Sequence, residues 1–225
     1  MIKVFDNSRE LARGAAEHFV AIAQKDFFTV ALSGGSTPKI LYEVLADRQK
    51  EVPWSRTHFF WSDERHVPPD HPDSNYRMAH EAMLSRVPVP ESNVHRIYSE
   101  NPNAQEAAEE YERTLVPRLD LILLGLGTDG HTASIFPGSE VLQETKRLVA
   151  APWVEKLNTY RITMTLPLLN NGASVLFLVS GKEKAEIMKE VIEGPRKYPA
   201  QFVQPINGEL IWMLDRDAAG DLNRG

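Results

Sequence analysis

The 225-residue chain contains no cysteine. That absence excludes disulfides, thiolate metal sites, iron–sulfur clusters and a cysteine nucleophile. It also fits a reducing compartment, and the cytoplasm is the expected location. Long apolar runs are missing as well. The longest, around 119–126 and 173–179, fall far short of the ~20 residues a membrane helix needs. The opening MIKVFDNSRE lacks the apolar core of a signal peptide. Positive charge is not in surplus: 25 Lys+Arg stand against 31 Asp+Glu, a net charge of −6. Such a balance argues against nucleic acid and membrane surfaces as partners. It does not speak against one small anion. No G-x-S-x-G elbow is present, which disfavours a serine esterase of the α/β-hydrolase type. Nor is there an HExxH pattern for a metal.

What is present is ordinary globular material, 42% hydrophobic and 25% charged. No internal repeat, low-complexity tract or clear linker interrupts it, so residues 1–225 read as one domain. Helical and strand-like segments alternate. Leu11, Ala15, Phe19, Ile22 and Ala23 recur at helical spacing over residues 8–24, with Asn7 and Glu10 placed as a capping box. Apolar runs at 27–32, 58–61 and 119–124 read as strands, as do 147–151, 160–166, 174–180 and 209–214. Helices are expected after Pro38, from near Ser74, at 103–115 and at 182–193. Residues 63–74 read as a Pro-, Asp- and His-rich loop, 193–208 as a second turn-rich stretch, and 218–225 as a frayed tail. Continuous apolar strands between helices argue for an α/β fold: a doubly wound, mostly parallel sheet.

Four motifs carry possible chemistry. Ser33-Gly34-Gly35-Ser36-Thr37-Pro38 joins a strand to a helix. Its glycines let the backbone turn and present N–H groups, Ser36 or Thr37 can cap the helix, and the helix N-terminus favours a phosphate. The bland alternative is a capped turn without a ligand. Residues 125–130 match G-x-G-x-x-G, with Glu144 near the acidic position of a dinucleotide site. Against that reading, Asp129 would oppose a pyrophosphate, and Glu144 precedes a strand instead of ending one. The alternative makes Asp129 and His131 catalytic. An imidazole with an ordinary pKa of about 6.5 suits a general base, and a carboxylate can hold its tautomer. The third motif, Ser62-Asp63-Glu64-Arg65-His66-Val67-Pro68, is either a solvated charge run or a site rim in which Arg65 offers a planar fork to an anion. His66, Asp70 and His71 lack the spacing of a metal site. Fourth, Ser180-Gly181-Lys182-Glu183-Lys184 puts two lysines where a strand meets a helix, with Arg161 a further cation at a strand start.

Taken together, ALSGGSTPKILYEVL, FFWSDERHVPPDHPDSNYRMA, LDLILLGLGTDGHTASIFPGS and LVSGKEKA resemble the 6-phosphogluconolactonase family, in its order and across most of residues 30–185. The resemblance implies a Rossmann-like fold with helices on both faces. It implies hydrolysis of 6-phospho-D-glucono-1,5-lactone to 6-phospho-D-gluconate, in the oxidative pentose phosphate pathway, without metal or organic cofactor. It also implies that Gly34, Gly35, Ser36 and Thr37 bind the phosphate with Lys184, that Arg65 and Arg161 add positive charge, and that His131 is the base. Asp63 or Asp129 would support His131. The wider group includes glucosamine-6-phosphate deaminases, whose residues after the histidine run Ile-Ala-Phe-Asn-Glu-Pro. Here Thr132-Ala133-Ser134-Ile135-Phe136-Pro137 stand instead, and Arg65 replaces an aromatic residue. Both departures favour the lactonase. A sugar-phosphate sensor is the non-catalytic rival, but the first 25 residues leave no room for a DNA-binding helix-turn-helix. The expected partner is a small sugar phosphate, and the expected state a monomer or small homo-oligomer.

Overall fold

A computed structural model describes residues 1–220 and 222. The chain begins β1 (Ile2–Phe5), α1 (Ser8–Ile22), β2 (Phe28–Leu32), α2 (Ser36–Asp47), β3 (Thr57–Trp61), β4 (Asp63–Arg65), α3 (Asn75–Ala82), α4 (Ala104–Thr114) and β5 (Leu121–Leu124). It continues β6 (Val149–Ala150), β7 (Trp153–Val154), β8 (Thr159–Met164), α5 (Leu166–Leu169), β9 (Ser174–Val179), α6 (Ala185–Glu193), β10 (Glu209–Asp215) and α7 (Arg216–Ala219). Six strands form one sheet in the order β1-β10-β9-β5-β2-β3, and every pairing in it is parallel.

The sequence explains the middle of this sheet. FTVAL, LILL and SVLFLV have no polar face, and every residue of β2, β5 and β9 is buried. A strand buried on both sides must be covered on both sides, which parallel sheets achieve with crossover helices. α1, α2 and α3 touch in series, and α6 packs on α7. At the edge, β1 is mostly exposed. Asn7 caps α1 by accepting the N–H groups of Arg9 and Glu10, each at 3.0 Å. The capping box is only half made, because Glu10 turns outward to Arg13.

Two expected strands lie elsewhere. Residues 147–151 and 160–166 contribute β6 and β8 to a small antiparallel sheet ordered β4-β8-β6, with β7 also paired to β8. No α-helix separates β6, β7 and β8, only a short 3-10 turn at Glu155–Leu157, and a parallel return needs a crossover of about a dozen residues. Those strands therefore fold back on each other. β4 comes from the stretch expected to be loop, so residues 63–65 are held in register and not free. The expected frayed tail is also corrected in part. Asp215 caps α7 through Ala218 N–H, and Ala218 and Ala219 are buried. Residue 221 and residues 223–225 lie outside the described residues.

Two buried tyrosines fix the strand ends that lead into functional loops. Tyr42 Oη accepts from Ser33 N–H at 2.9 Å and donates to Ser33 C=O at 2.8 Å. Tyr111 does the same for Trp61, accepting at 2.7 Å and donating at 3.0 Å. Burial pushes both phenols far above their ordinary range, so they remain neutral donors. Each hydroxyl thus satisfies both backbone groups of one residue where the strand ladder stops. Tyr111→Phe, which strands two buried groups of Trp61, is expected to lower the unfolding free energy by about 1–3 kcal/mol. Urea titration measures this, and an unchanged midpoint would contradict the clamp.

Candidate active site

In this sheet β2 and β5 are neighbours, yet the chain leaves β2 toward β3 and β5 toward β9. Such a switch opens a crevice beyond the carboxyl ends of the strands. A cleft of about 370 Å³ occupies that place. Its walls come from the loops after β2, β3, β5 and β9, closed by Lys156, Leu157 and Arg161 from the small sheet. His131, Asp63, Gly34, Gly35, Ser36, Thr37, Arg65, Arg161 and Lys184 all line it, and Asp129 stands directly behind His131.

One end gathers backbone donors and cations. The helix cap is Gly35, at φ +109°, and no side chain caps α2. Ser36 and Thr37, expected as caps, are instead the first residues of the helix. The reason is that Gly35 alone can take the left-handed φ of the turn. The N–H groups of the first helical turn therefore have no intrahelical acceptor and edge the cleft. Thr37 Oγ1 meets Ser180 Oγ at 2.7 Å and ties this turn to the loop after β9. Gly34 is required by close approach: a Cβ there would lie 2.0 Å from Asn75 Oδ1. That same oxygen accepts from Arg65 Nη1 at 2.5 Å, and the Asp73 carbonyl accepts from it at 2.6 Å.

Arg65 and Arg161 are direct partners across β4 and β8. Like charges so placed repel. Burial first, and the Arg65 charge second, push the Arg161 guanidinium below its ordinary value. Among the described residues neither Arg161 nor Lys184 has an ion-pair partner. Lys182, the other lysine of that turn, is not in the cleft wall.

The other end holds the imidazole. Gly127 N–H donates to His131 C=O and Gly130 N–H to Gly127 C=O, both at 2.9 Å, so the loop closes on itself. The Asp129 carboxylate accepts from His131 N–H at 3.2 Å and from the ring Nδ1. A carboxylate only accepts, so the Nδ1 position carries the proton in this contact, and it is Nε2 that faces away from Asp129. No protein group among the described residues engages Nε2. The ring packs on Phe136 with centroids 4.4 Å apart. It also lies against Gly127, where a Cβ would come within 2.0 Å of Nδ1. Lys156 Nζ donates to the second oxygen of Asp129. Partial burial pulls the Asp129 carboxyl upward, but Lys156 and His131 outweigh it and hold the group well below the usual range.

Asp63 does not touch His131. It is buried, accepting from Ser134 Oγ at 2.6 Å, with Asn75 Nδ2 donating to its carbonyl at 2.8 Å. Asp129 is thus the acid on the imidazole, and Asp63 braces the β4 turn. Glu64 is buried too, accepting from Arg65, Asn75 and Tyr76 N–H groups and from Ser74 Oγ. Burial pushes its carboxyl upward, against the pull of those donors. A solvated charge run is therefore the wrong description of residues 62–68. His66 turns to the Asn101 carbonyl at 2.7 Å. Glu144 accepts three backbone N–H groups of its own turn and lies outside the cleft, so the dinucleotide reading loses its acid. Among the described residues no cluster of three or more His, Asp or Glu is placed for a metal.

Sequence reasoning missed Lys156, Asn75 and Ser134 as parts of the site. Asn75 and Ser134 stand inside motifs already singled out, but their targets lie on other strands. Lys156 had no local signal at all.

Comparison with known proteins agrees with this fold. Residues 6–212 match the family described as glucosamine-6-phosphate isomerases/6-phosphogluconolactonase. A 6-phosphogluconolactonase of Synechocystis is 45% identical over 90% of this chain and 88% of its own. A solved 6-phosphogluconolactonase from Trypanosoma brucei superposes with a TM-score of 0.88 at 30% identity, covering 99% of this chain and 98% of that one. A monomeric glucosamine-6-phosphate deaminase shares the fold, with a TM-score of 0.87 at 20% identity over 97% of this chain and 98% of its own. The chain belongs to the glucosamine-6-phosphate isomerase/6-phosphogluconolactonase family.

The packing of His131 on Gly127 is open to a direct test. In a crystal structure of Gly127→Ala the imidazole is expected to be displaced from Asp129 by more than about 1 Å. Gly125→Ala, whose Cβ would meet only Ser33 Oγ at 3.9 Å, leaves the ring in place. An undisturbed ring in Gly127→Ala would show that this glycine does not set the imidazole.

Proposed function

We propose that the chain hydrolyses 6-phospho-D-glucono-1,5-lactone to 6-phospho-D-gluconate, the lactone-opening step of the oxidative pentose phosphate pathway. The observation that carries the reading is one cleft with a carboxylate-backed imidazole at one end and unpaired cations at the other. The 45% identity to a named lactonase supports the same substrate.

In this reading the phosphate sits at the N-terminus of α2, among Ser36, Thr37 and Lys184, with Arg65 and Arg161 adding charge. Binding there is remote from the bond that breaks and is used to place the lactone carbonyl beside His131. His131 Nε2 takes a proton from water as the water oxygen bonds to C1. The carbonyl becomes a tetrahedral oxyanion, for which Arg65 and the N–H groups of the glycine loop are the available donors. Collapse breaks the bond between C1 and the ring oxygen, and His131 returns its proton to that oxygen. Asp129 holds the ring and stabilises the imidazolium between these steps. Asp63 acts on the shape of the β4 turn and not on the proton. No step calls on a metal or organic cofactor.

The isomerase or deaminase reading asks for a second carboxylate near the imidazole. Here Asp129 is the one acid within ion-pair distance of His131 among the described residues, and residues 132–137 supply none. No helix among the described residues is long and apolar enough to cross a membrane. The reading places the enzyme in the cytoplasm, with a sugar phosphate and not nucleic acid as its partner. Every group in the steps above comes from one chain, so a monomer suffices and a small homo-oligomer would carry one such cleft per chain.

Stopped-flow hydrolysis of freshly made lactone tests the assignment. His131→Ala is expected to lose about 10²–10⁴-fold in turnover with substrate affinity largely kept. Near-normal turnover would remove His131 as the base. Lys184→Ala is expected to weaken 6-phosphogluconate binding, while a fall in turnover alone would place the phosphate elsewhere.

A further inference from the structure

Lys156 belongs to none of the motifs that mark the cleft, yet it reaches the centre of it. The residue sits in the 3-10 turn Glu155–Leu157, which joins β7 to β8. The pairs Trp153↔Tyr160 and Val154↔Thr159 hold that hairpin, and Arg161 follows on the same strand. Asn158, at φ +49°, closes the turn in the left-handed region. From there the ammonium meets Asp129 Oδ2 while His131 Nδ1 meets Oδ1. The two groups share a second surface as well. Lys156 Nζ lies 4.4 Å from the centre of the Phe136 ring, and the imidazole packs on that ring at the same 4.4 Å, tilted by 32°.

We propose that Lys156 is a positioning residue that divides the Asp129 carboxylate between itself and His131, and so keeps the imidazole unprotonated and able to accept a proton from water. The inference rests on the reading of His131 as the base. Its physical content is a balance. A carboxylate paired with imidazole alone favours the imidazolium form. An imidazolium cannot take a proton from water. A cation on the other carboxylate oxygen takes up part of that negative charge and repels a second cation nearby. Orientation is preserved, because Asp129 still accepts from Nδ1, while the bias toward protonation is reduced.

The other charged groups facing the cleft are Asp63, Arg65, Arg161 and Lys184, and the Tyr198 ring packs beside Gly130 on the same loop. Asp63 is occupied by Ser134, and Arg65 by Asn75 and Asp73. None of these touches Asp129. Lys156 is therefore the cation whose removal changes the charge on the imidazole's own partner. The amine is about half exposed, so salt screens part of the effect.

The test uses the full chain with Lys156→Met and Lys156→Arg. In Lys156→Met the acid limb of the kcat/KM profile is expected to move up by about half to one pH unit. The loss of activity is then greatest on the acid side. Lys156→Arg, which keeps the charge, is expected to return the limb toward its original place. A role confined to holding the hairpin would lower the whole profile by one factor and leave the limb where it was, and that result overturns the proposal. NMR titration of the His131 ring gives a readout independent of turnover. Its midpoint should rise in Lys156→Met, and an unmoved midpoint overturns the proposal whatever the rates do. A risen midpoint with an unmoved rate limb upholds the sharing of Asp129 and removes His131 as the base, so the two failures are distinguishable.

Discussion

Parallel pairing of β2 with β5 is the constraint from which the rest follows. Both strands are buried throughout and, Thr29 excepted, apolar, so they must lie in the middle of the sheet. Their chain continuations leave in opposite directions, and the loops after them cannot fill the gap between. One loop ends in a helix whose first N–H groups lack acceptors. The other ends in the turn that carries His131. The open first turn of α2 and the imidazole of His131 are therefore brought to the same crevice by strand order alone. The tyrosine clamps on Ser33 and Trp61 keep this edge rigid where the hydrogen-bonded ladder runs out.

Around that crevice the charges are placed against the trend of the molecule. The chain is acidic overall, at −6. Yet Arg65 faces Arg161 across a strand pair, and Lys184 stands nearby without an acid partner among the described residues. Such an arrangement opposes folding locally and is relieved by a bound anion. The acids of the same region are meanwhile occupied internally. Glu64 caps the start of α3, Asp63 is held by Ser134, and Asp129 is divided between His131 and Lys156. Four cations, Arg65, Lys156, Arg161 and Lys184, line the cleft against the single carboxylate of Asp63, so its wall carries the opposite sign to the chain as a whole.

Much of this was legible in the sequence. Three apolar runs without a polar face marked central parallel strands, and glycines at their ends marked the ligand edge. Asp129 and His131 were readable as candidates because they lie two residues apart on one loop, but Asp63 remained an equal alternative for the acid beside the ring. The small antiparallel sheet was not readable. The runs that became β6 and β8 were expected as strands, but not their antiparallel pairing; β7 is two residues, too short for any periodicity, and β4 hid in a stretch dense with charge and proline. The burial of Asp63 and Glu64 was equally hidden. Three adjacent charges are usually solvated, and only the donors of α3 and Ser134 reverse that expectation.

By itself the sequence determined the class of fold, the loops that edge the cleft, and the residue types found there. Those features depend on local patterns: strand apolarity, glycine spacing and the Asp-Gly-His turn. Tertiary structure alone decided which acid serves His131, which lysine lines the cleft, and that Arg65 and Arg161 oppose each other. It also delivered Lys156, 27 residues along the chain from Asp129, to the carboxylate that meets the His131 ring. These are contacts between groups distant in sequence. Their meeting depends on strand order and register, which no local pattern encodes.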